Sequence, residues 1–206
     1  MNALLYALVV VIWGTTWIAI SLQQQSGIST NVAVFWRFFI SALVLFAFIV
    51  LCRKLQKLAV KDHLFCVLQA CCIFGFNFVC FYYAVQYISS GLEAVIFSMA
   101  VIFNTLNAKL FFGQQVSTRF YPAALLGGLG IIALFWHDVI GSTLNTHTLM
   151  GIGLCVLGTY GFSLGNMISA RHQKNGLDIF TTNAYGMLYG SILMALIAGF
   201  KQDEFF

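Results

Sequence analysis

The residues able to do chemistry in this chain are few, and they sit inside apolar runs. Glu93, Phe97, Ala100, Asn104 and Asn107 recur at i, i+4, i+7, i+11 and i+14. On a helix they form one stripe, with Val95, Ile96, Ile102, Phe103 and Leu106 covering the other faces. A carboxyl and two carboxamides so placed can line a solute path, exchange a proton, or hydrogen-bond to neighbouring helices. Trp13, Thr16 and Trp17 share a helical face and predict either an aromatic cavity wall or a packed core. Arg37 lies about one and a half turns inside a later apolar run, where it either snorkels to headgroups or finds a buried partner. Asn77, Tyr160 and Ser163 place further hydrogen-bonding groups near the middle of their runs.

Other chemistries lack their residues. There is no HExxH, no pair of aspartates inside an apolar run and no Ser-Lys dyad, and His63, His137, His147 and His172 fall at run ends or in loops. Cys52, Cys66, Cys71, Cys72, Cys80 and Cys155 show neither CxxC nor Cys/His ligand spacing and read as small apolar filler. No catalytic group, metal site or cofactor is expected. The basic residues are spread over short loops, so nucleic acid is not an expected partner.

The elements that position these groups follow from composition. Of 206 residues, 61% are hydrophobic and 8% charged, and the mean hydropathy is +0.91. Soluble domains carry about a quarter charged residues, so the chain is read as an all-α polytopic membrane protein. About seven spans are expected: Ala3 to Leu22, Val32 to Leu51, Leu64 to Tyr87, Gly91 to Gln115, Phe120 to His137, Leu149 to Ala170 and Ile179 to Phe200. The three residues Ile88 to Ser90 make spans three and four antiparallel neighbours. Gly127, Gly128 and Gly130, Gly161-x-x-x-Gly165 and Gly186-x-x-x-Gly190 predict close helix approach.

The net charge of +4 matters less than its placement. Arg53, Lys54, Lys57, Lys61, Lys109, Arg119, Arg171 and Lys174 flank one side of the spans, while the other side holds Lys201. The positive-inside rule then predicts a cytoplasmic N terminus. With spans alternating in direction, Arg37 and Glu93 lie at one depth near the outer side and are expected to act together as gate or coupling pair. Glu93 is the candidate for proton coupling, since a carboxyl shielded from water and one paired with Arg37 hold a proton very differently.

Leu157-Gly158-Thr159-Tyr160-Gly161 sits in its span as Trp13-Gly14-Thr15-Thr16-Trp17 sits in the first. Five spans separate the two, which inverts the second copy relative to the first, an arrangement common in secondary transporters. The expected organisation is a complete five-helix repeat over 1–137, an external linker over 138–148, and two helices of an inverted second repeat over 149–206.

Trp13-Gly14, Phe35-Trp36-Arg37-Phe38, Tyr82-Tyr83-Ala84-Val85 through Ser90-Gly91-Leu92-Glu93-Ala94, Phe112-Gly113 and Leu126-Gly127-Gly128-Leu129-Gly130 together resemble the EamA-type drug/metabolite transporter superfamily. That resemblance implies ten helices in two inverted repeats and export of amino acids, other metabolites or drugs across the bacterial inner membrane. The chain departs from the pattern in lacking a proline near Val101, which predicts an unbroken fourth helix, in reading Gly113-Gln114 for Gly-Glu, and in length, which predicts a truncated form. The site implied is lined by the first, third, fourth and sixth spans, with Trp13, Thr16 and Trp17 giving apolar contact and shape. Asn77, Asn104, Tyr160 and Ser163 would hydrogen-bond a small solute, and Arg37 and Glu93 would act at the outer side. A non-transporting membrane assembly protein, acting with an oligomeric copy or a missing C-terminal half, is the alternative. A seven-helix receptor is disfavoured by the loop charges.

Overall fold

Apolar runs of more than twenty residues become helices because a spanning segment must satisfy its backbone hydrogen bonds internally. The computed structural model describes residues 2–140 and 146–204, with side chains described for 3–134 and 146–204. Its helices are α1 (Asn2–Gln25), α2 (Thr30–Leu51), α3 (Val60–Gln69), a π-helical segment (Ala70–Phe76), α4 (Asn77–Ala84), α5 (Ser90–Phe97), α6 (Ala100–Phe112), α7 (Phe120–Ile140), α8 (Thr146–Lys174) and α9 (Ile179–Lys201). No strand occurs among the described residues. α3, the π segment and α4 form one continuous span, and α5 with α6 another. With α1, α2, α8 and α9 they give six helices long and apolar enough to cross a bilayer; α7 adds an apolar stretch, Phe120–Leu134. The chain is a multi-pass, all-helical membrane protein. Of the expected linker 138–148, residues 141–145 lie outside the described residues, while Thr146 already opens α8.

Local chemistry sets the ends. Ser89 caps α5 by accepting from the Leu92 amide at 3.3 Å, and Asp178 caps α9 by accepting from the Thr181 amide at 2.7 Å. Gly113 closes α6 in the left-handed conformation at φ 65°. Asp203, just past α9, accepts from Ser29 Oγ at 2.6 Å and Asn31 Nδ2 at 2.8 Å. A carboxylate is thereby held at the N-terminus of α2, where the helix dipole favours it, and its two donors keep its pKa below the ordinary value.

α9 lies along α2, and α8 packs against α4, α6 and the π segment. Glycines set these approaches. A Cβ on Gly165 would stand 2.2 Å from Ile73 Cγ1, one on Gly161 2.8 Å from Phe76 Cδ1, and one on Gly190 2.7 Å from Phe74 Cβ. At the end carrying the basic loops, Arg171 pairs with Asp62 at 3.0 Å and lies over the Phe65 ring at 3.7 Å, fastening α8 to α3.

Spans three and four, joined by a short turn, meet at Phe81 and Phe97, with ring centroids 5.6 Å apart, and α8 packs against both. Two expectations are corrected. A methyl group on Gly127, Gly128 or Gly130 of α7 would meet no atom within 4 Å, so these glycines mediate no close approach among the described residues. The fourth span is also not an unbroken α-helix. At Ser98 and Met99 the backbone tightens to i→i+3 bonds, Ser98 to Val95 at 3.1 Å and Met99 to Ile96 at 2.9 Å. Ser98 Oγ, donating to the Val95 carbonyl at 2.6 Å, draws the turn in without a proline.

Candidate functional site

Where α1, α2, the third span, α5, α8 and α9 converge they leave a cavity of about 570 Å³, within the size range of small-ligand sites. Most of its wall is apolar, and aromatic rings are the largest part of that. Trp17 meets Phe81 at 5.1 Å and Phe97 at 5.2 Å, while Trp13 meets Phe97 at 5.5 Å and Phe162 at 6.0 Å, all tilted or edge-on. This geometry suits the ring quadrupoles and fixes the wall without filling the space between helices.

Of the residues expected to bind solute, Trp13, Thr16, Trp17 and Asn77 line the cavity, as does Arg37. Thr16 Oγ1 donates to the Ile12 carbonyl at 2.8 Å and so faces the cavity as an acceptor. Asn77 is tied to α8 by Nδ2 donating to the Gly158 carbonyl at 3.0 Å. The other candidates lie elsewhere. Asn104 Oδ1 accepts from Asn166 Nδ2 at 3.3 Å, and it is Asn166 that reaches the wall. Ser163, fully buried, accepts from Asn107 Nδ2 at 2.9 Å. Thus both asparagines of the Glu93-to-Asn107 stripe bridge α6 to α8. Tyr160 packs edge-on against Phe103 on the outer side of α8, 39% exposed.

Arg37 and Glu93 are not brought together. The Arg37 guanidinium lies over the Phe78 ring at 4.8 Å and beside the Tyr82 phenol, whose hydroxyl is in turn bonded to Gln23 Oε1. Gln23, Tyr82 and Arg37 thereby join α1, α4 and α2 at one end of the cavity. Glu93 is fully buried against α8, its backbone carbonyl accepting from Cys155 Sγ at 3.7 Å, and neither carboxyl oxygen has a hydrogen-bond partner.

Other wall groups were not in the expected set. Gln69 Nε2 donates to Asn183 Oδ1 at 2.9 Å, and both residues, with Ser169, line the cavity end opposite Arg37. Gln69 Oε1 is buried without a partner. A carboxamide in the apolar run Leu64 to Phe76 was the available signal for Gln69. Asn166 and Asn183 stood on visible polar faces, but sequence does not say which way those faces turn.

A set of membrane-spanning helices around a solute-sized, mostly apolar cavity with a few fixed polar groups defines a polytopic binding or transport protein. The family model described as EamA-like transporter family matches residues 1–136, and the chain belongs to that family. It is also similar to the uncharacterized transporter YoaV of Bacillus subtilis (strain 168), at 24% identity over 193 residues. The match covers 92% of this chain and 64% of that relative, so the chain spans less than two thirds of the relative's length. No solved structure matches.

Proposed function

We propose that these helices form the substrate cavity of a secondary transporter that exports small amphipathic metabolites, amino acids or drugs across the bacterial inner membrane, with a cytoplasmic N terminus. The observation that carries the reading is the 570 Å³ cavity itself, walled by Trp13, Trp17 and Phe97 and furnished with Arg37, Asn77 and the Gln69–Asn183 pair. A core packed for stability alone would close such a space, because unfilled volume forfeits dispersion contacts. Family membership supports transport rather than catalysis.

The repeats 1–137 and 149–206 are proposed to move against each other in alternating access, with α8 and α9 rocking on their glycine contacts. Glu93 lies at the α5–α8 contact with both carboxyl oxygens unpartnered, and is proposed as the coupling group that takes up and releases a proton as that contact changes. The test is flux of a panel of labelled amphipathic solutes in vesicles containing the purified chain, with Trp17→Ala alongside. Saturable flux that Trp17→Ala reduces at least tenfold is expected. Flux indistinguishable from empty vesicles for every solute would refute transport by this chain and favour the assembly-protein alternative.

A further inference from the structure

We infer that the solute is an organic monoanion, a carboxylate on an aromatic or aliphatic body, and that Arg37 is the residue that reads its charge. This rests on the cavity being the transport site and adds the substrate class. Among the cavity-lining residues Arg37 is the sole formally charged one, and no carboxylate side chain lines the space. The ion pair found among the described residues is Arg171 with Asp62, at the end carrying the basic loops. Glu93, the acid at Arg37's expected depth, has no hydrogen bond to it. Arg37 therefore faces the cavity without a counter-charge.

An uncompensated guanidinium in a low-dielectric, membrane-embedded site is costly, and a ligand supplying one negative charge removes that cost. Phe78 occupies one face of the guanidinium plane and the Tyr82 hydroxyl takes up one N–H; with five N–H donors on the fork, others remain for the paired hydrogen bonds that a carboxylate accepts. One fixed positive charge matches one negative charge; a dianion would enter with a charge unbalanced. A cationic solute would find rings able to receive it, but also a repelling Arg37 and no acid to pair with.

The remaining space specifies the body. From Phe78, beneath Arg37, to Gln69 the third span advances nine residues past Phe74 and Ile73, with the Phe38 ring packed against Phe74 and Phe78. An apolar body of phenylpropyl size lies along that wall. The unpartnered, fully buried Gln69 Oε1 at the far end is an acceptor left open for a hydroxyl or amine on a longer solute.

The test uses the full chain in a neutral maltoside detergent without phospholipid, so that lipid phosphate cannot supply the anion. Binding is read from tryptophan fluorescence and equilibrium dialysis with three probes of one shape: 3-phenylpropionate, 3-phenylpropanamide and 3-phenylpropylamine. The acid is expected to bind at least tenfold more tightly than the amide, with the amine weakest. Arg37→Gln is expected to lower the acid-to-amide ratio at least tenfold, to about one, and Arg37→Lys to keep part of the preference. If Arg37→Gln does not hold the amide, the acid-to-amide ratio in Arg37→Lys decides, a several-fold drop supporting the assignment and an unchanged ratio overturning it. Equal binding of acid and amide by the unaltered chain overturns the anion assignment while leaving the cavity as a binding site. Binding of none of the three overturns both.

Discussion

Replacing Gly165 by alanine puts one methyl group into the tightest helix contact described. Its Cβ would fall 2.2 Å from Ile73 Cγ1, 2.8 Å from Ile73 Cδ1 and 3.3 Å from Cys72 Cβ, where unstrained carbons stand about 3.5–4.0 Å apart. Ile73 must leave its rotamer or α8 must move outward by about an ångström, and either costs about 1–3 kcal/mol as overpacking does elsewhere. For a chain of this length about 2 kcal/mol corresponds to a Tm lowered by about 4–8 °C, readable by fluorescence-detected melting in detergent. The contact can be isolated, because Ile73→Ala removes both atoms that collide. Alone it should be destabilising through the void it leaves. In that background Gly165→Ala should cost nothing or restore stability, its methyl entering the vacated space. If Gly165→Ala lowers Tm equally with Ile73 present and absent, the cost arises from something other than this approach, and the packing argument for α8 is wrong.

The three remaining predictions concern pH, coupling and the ion pair at the basic end. Asp203 accepts two hydrogen bonds that depress its pKa, so its tie between α9 and α2 is present above the ordinary carboxylate value, about 3.9, and lost as pH falls through the lower folded value. Protection of the amides at the start of α2, taken against the intrinsic exchange rate at each pH, should fall in that acid window in the unaltered chain and stay constant there in Asp203→Asn, and equal acid responses would contradict this. If Glu93 is the coupling group, an imposed gradient of one pH unit should change accumulation by up to about tenfold per proton moved, and Glu93→Gln should abolish the response; proton dependence that survives the substitution eliminates the role. Arg171→Ala strands Asp62 and uncovers Phe65. With both partners partly exposed, the expected cost is about 1 kcal/mol or less, and a Tm drop beyond about 5 °C would show that the pair does more than fasten α3 to α8.

The spans were legible because a continuous apolar run of more than twenty residues has one outcome in lipid, and the glycine pairs in α8 and α9 because small residues at i, i+4 have few other uses there. Rotation about each helix axis was not legible. Asn104 and Ser163 carry the right groups at the right depth, yet each is satisfied by a neighbouring helix, whereas Gln69, Asn166 and Asn183 turn inward. A polar stripe states that something polar must face it; the packing of α6 on α8 determines that this something is protein. Arg37 and Glu93 are expected at one depth, but a common depth fixes one coordinate of three, and α8 and the Phe78 ring settle the others. The tightened turn at Ser98 was hidden because a serine mid-helix is usually silent, and its hydroxyl shortens the turn here by bonding back to Val95.

The π segment bears on how this chain is to be aligned and edited. Ala70–Phe76 is wound with i→i+5 spacing, which is how a helix accommodates one residue more than its neighbours require. Removing a single residue there would let the span return to ordinary pitch with Asn77, Phe81 and Tyr82 left on the partners they now have, whereas a residue removed from α3 would swing everything beyond it by about 100°. The π turn is therefore where the third span can absorb a change of one residue, and α3 and α4 are where it cannot. A one-residue gap between relatives belongs in that interval, and a deletion placed in α3 instead changes which side chains point at the solute without changing a single one of them.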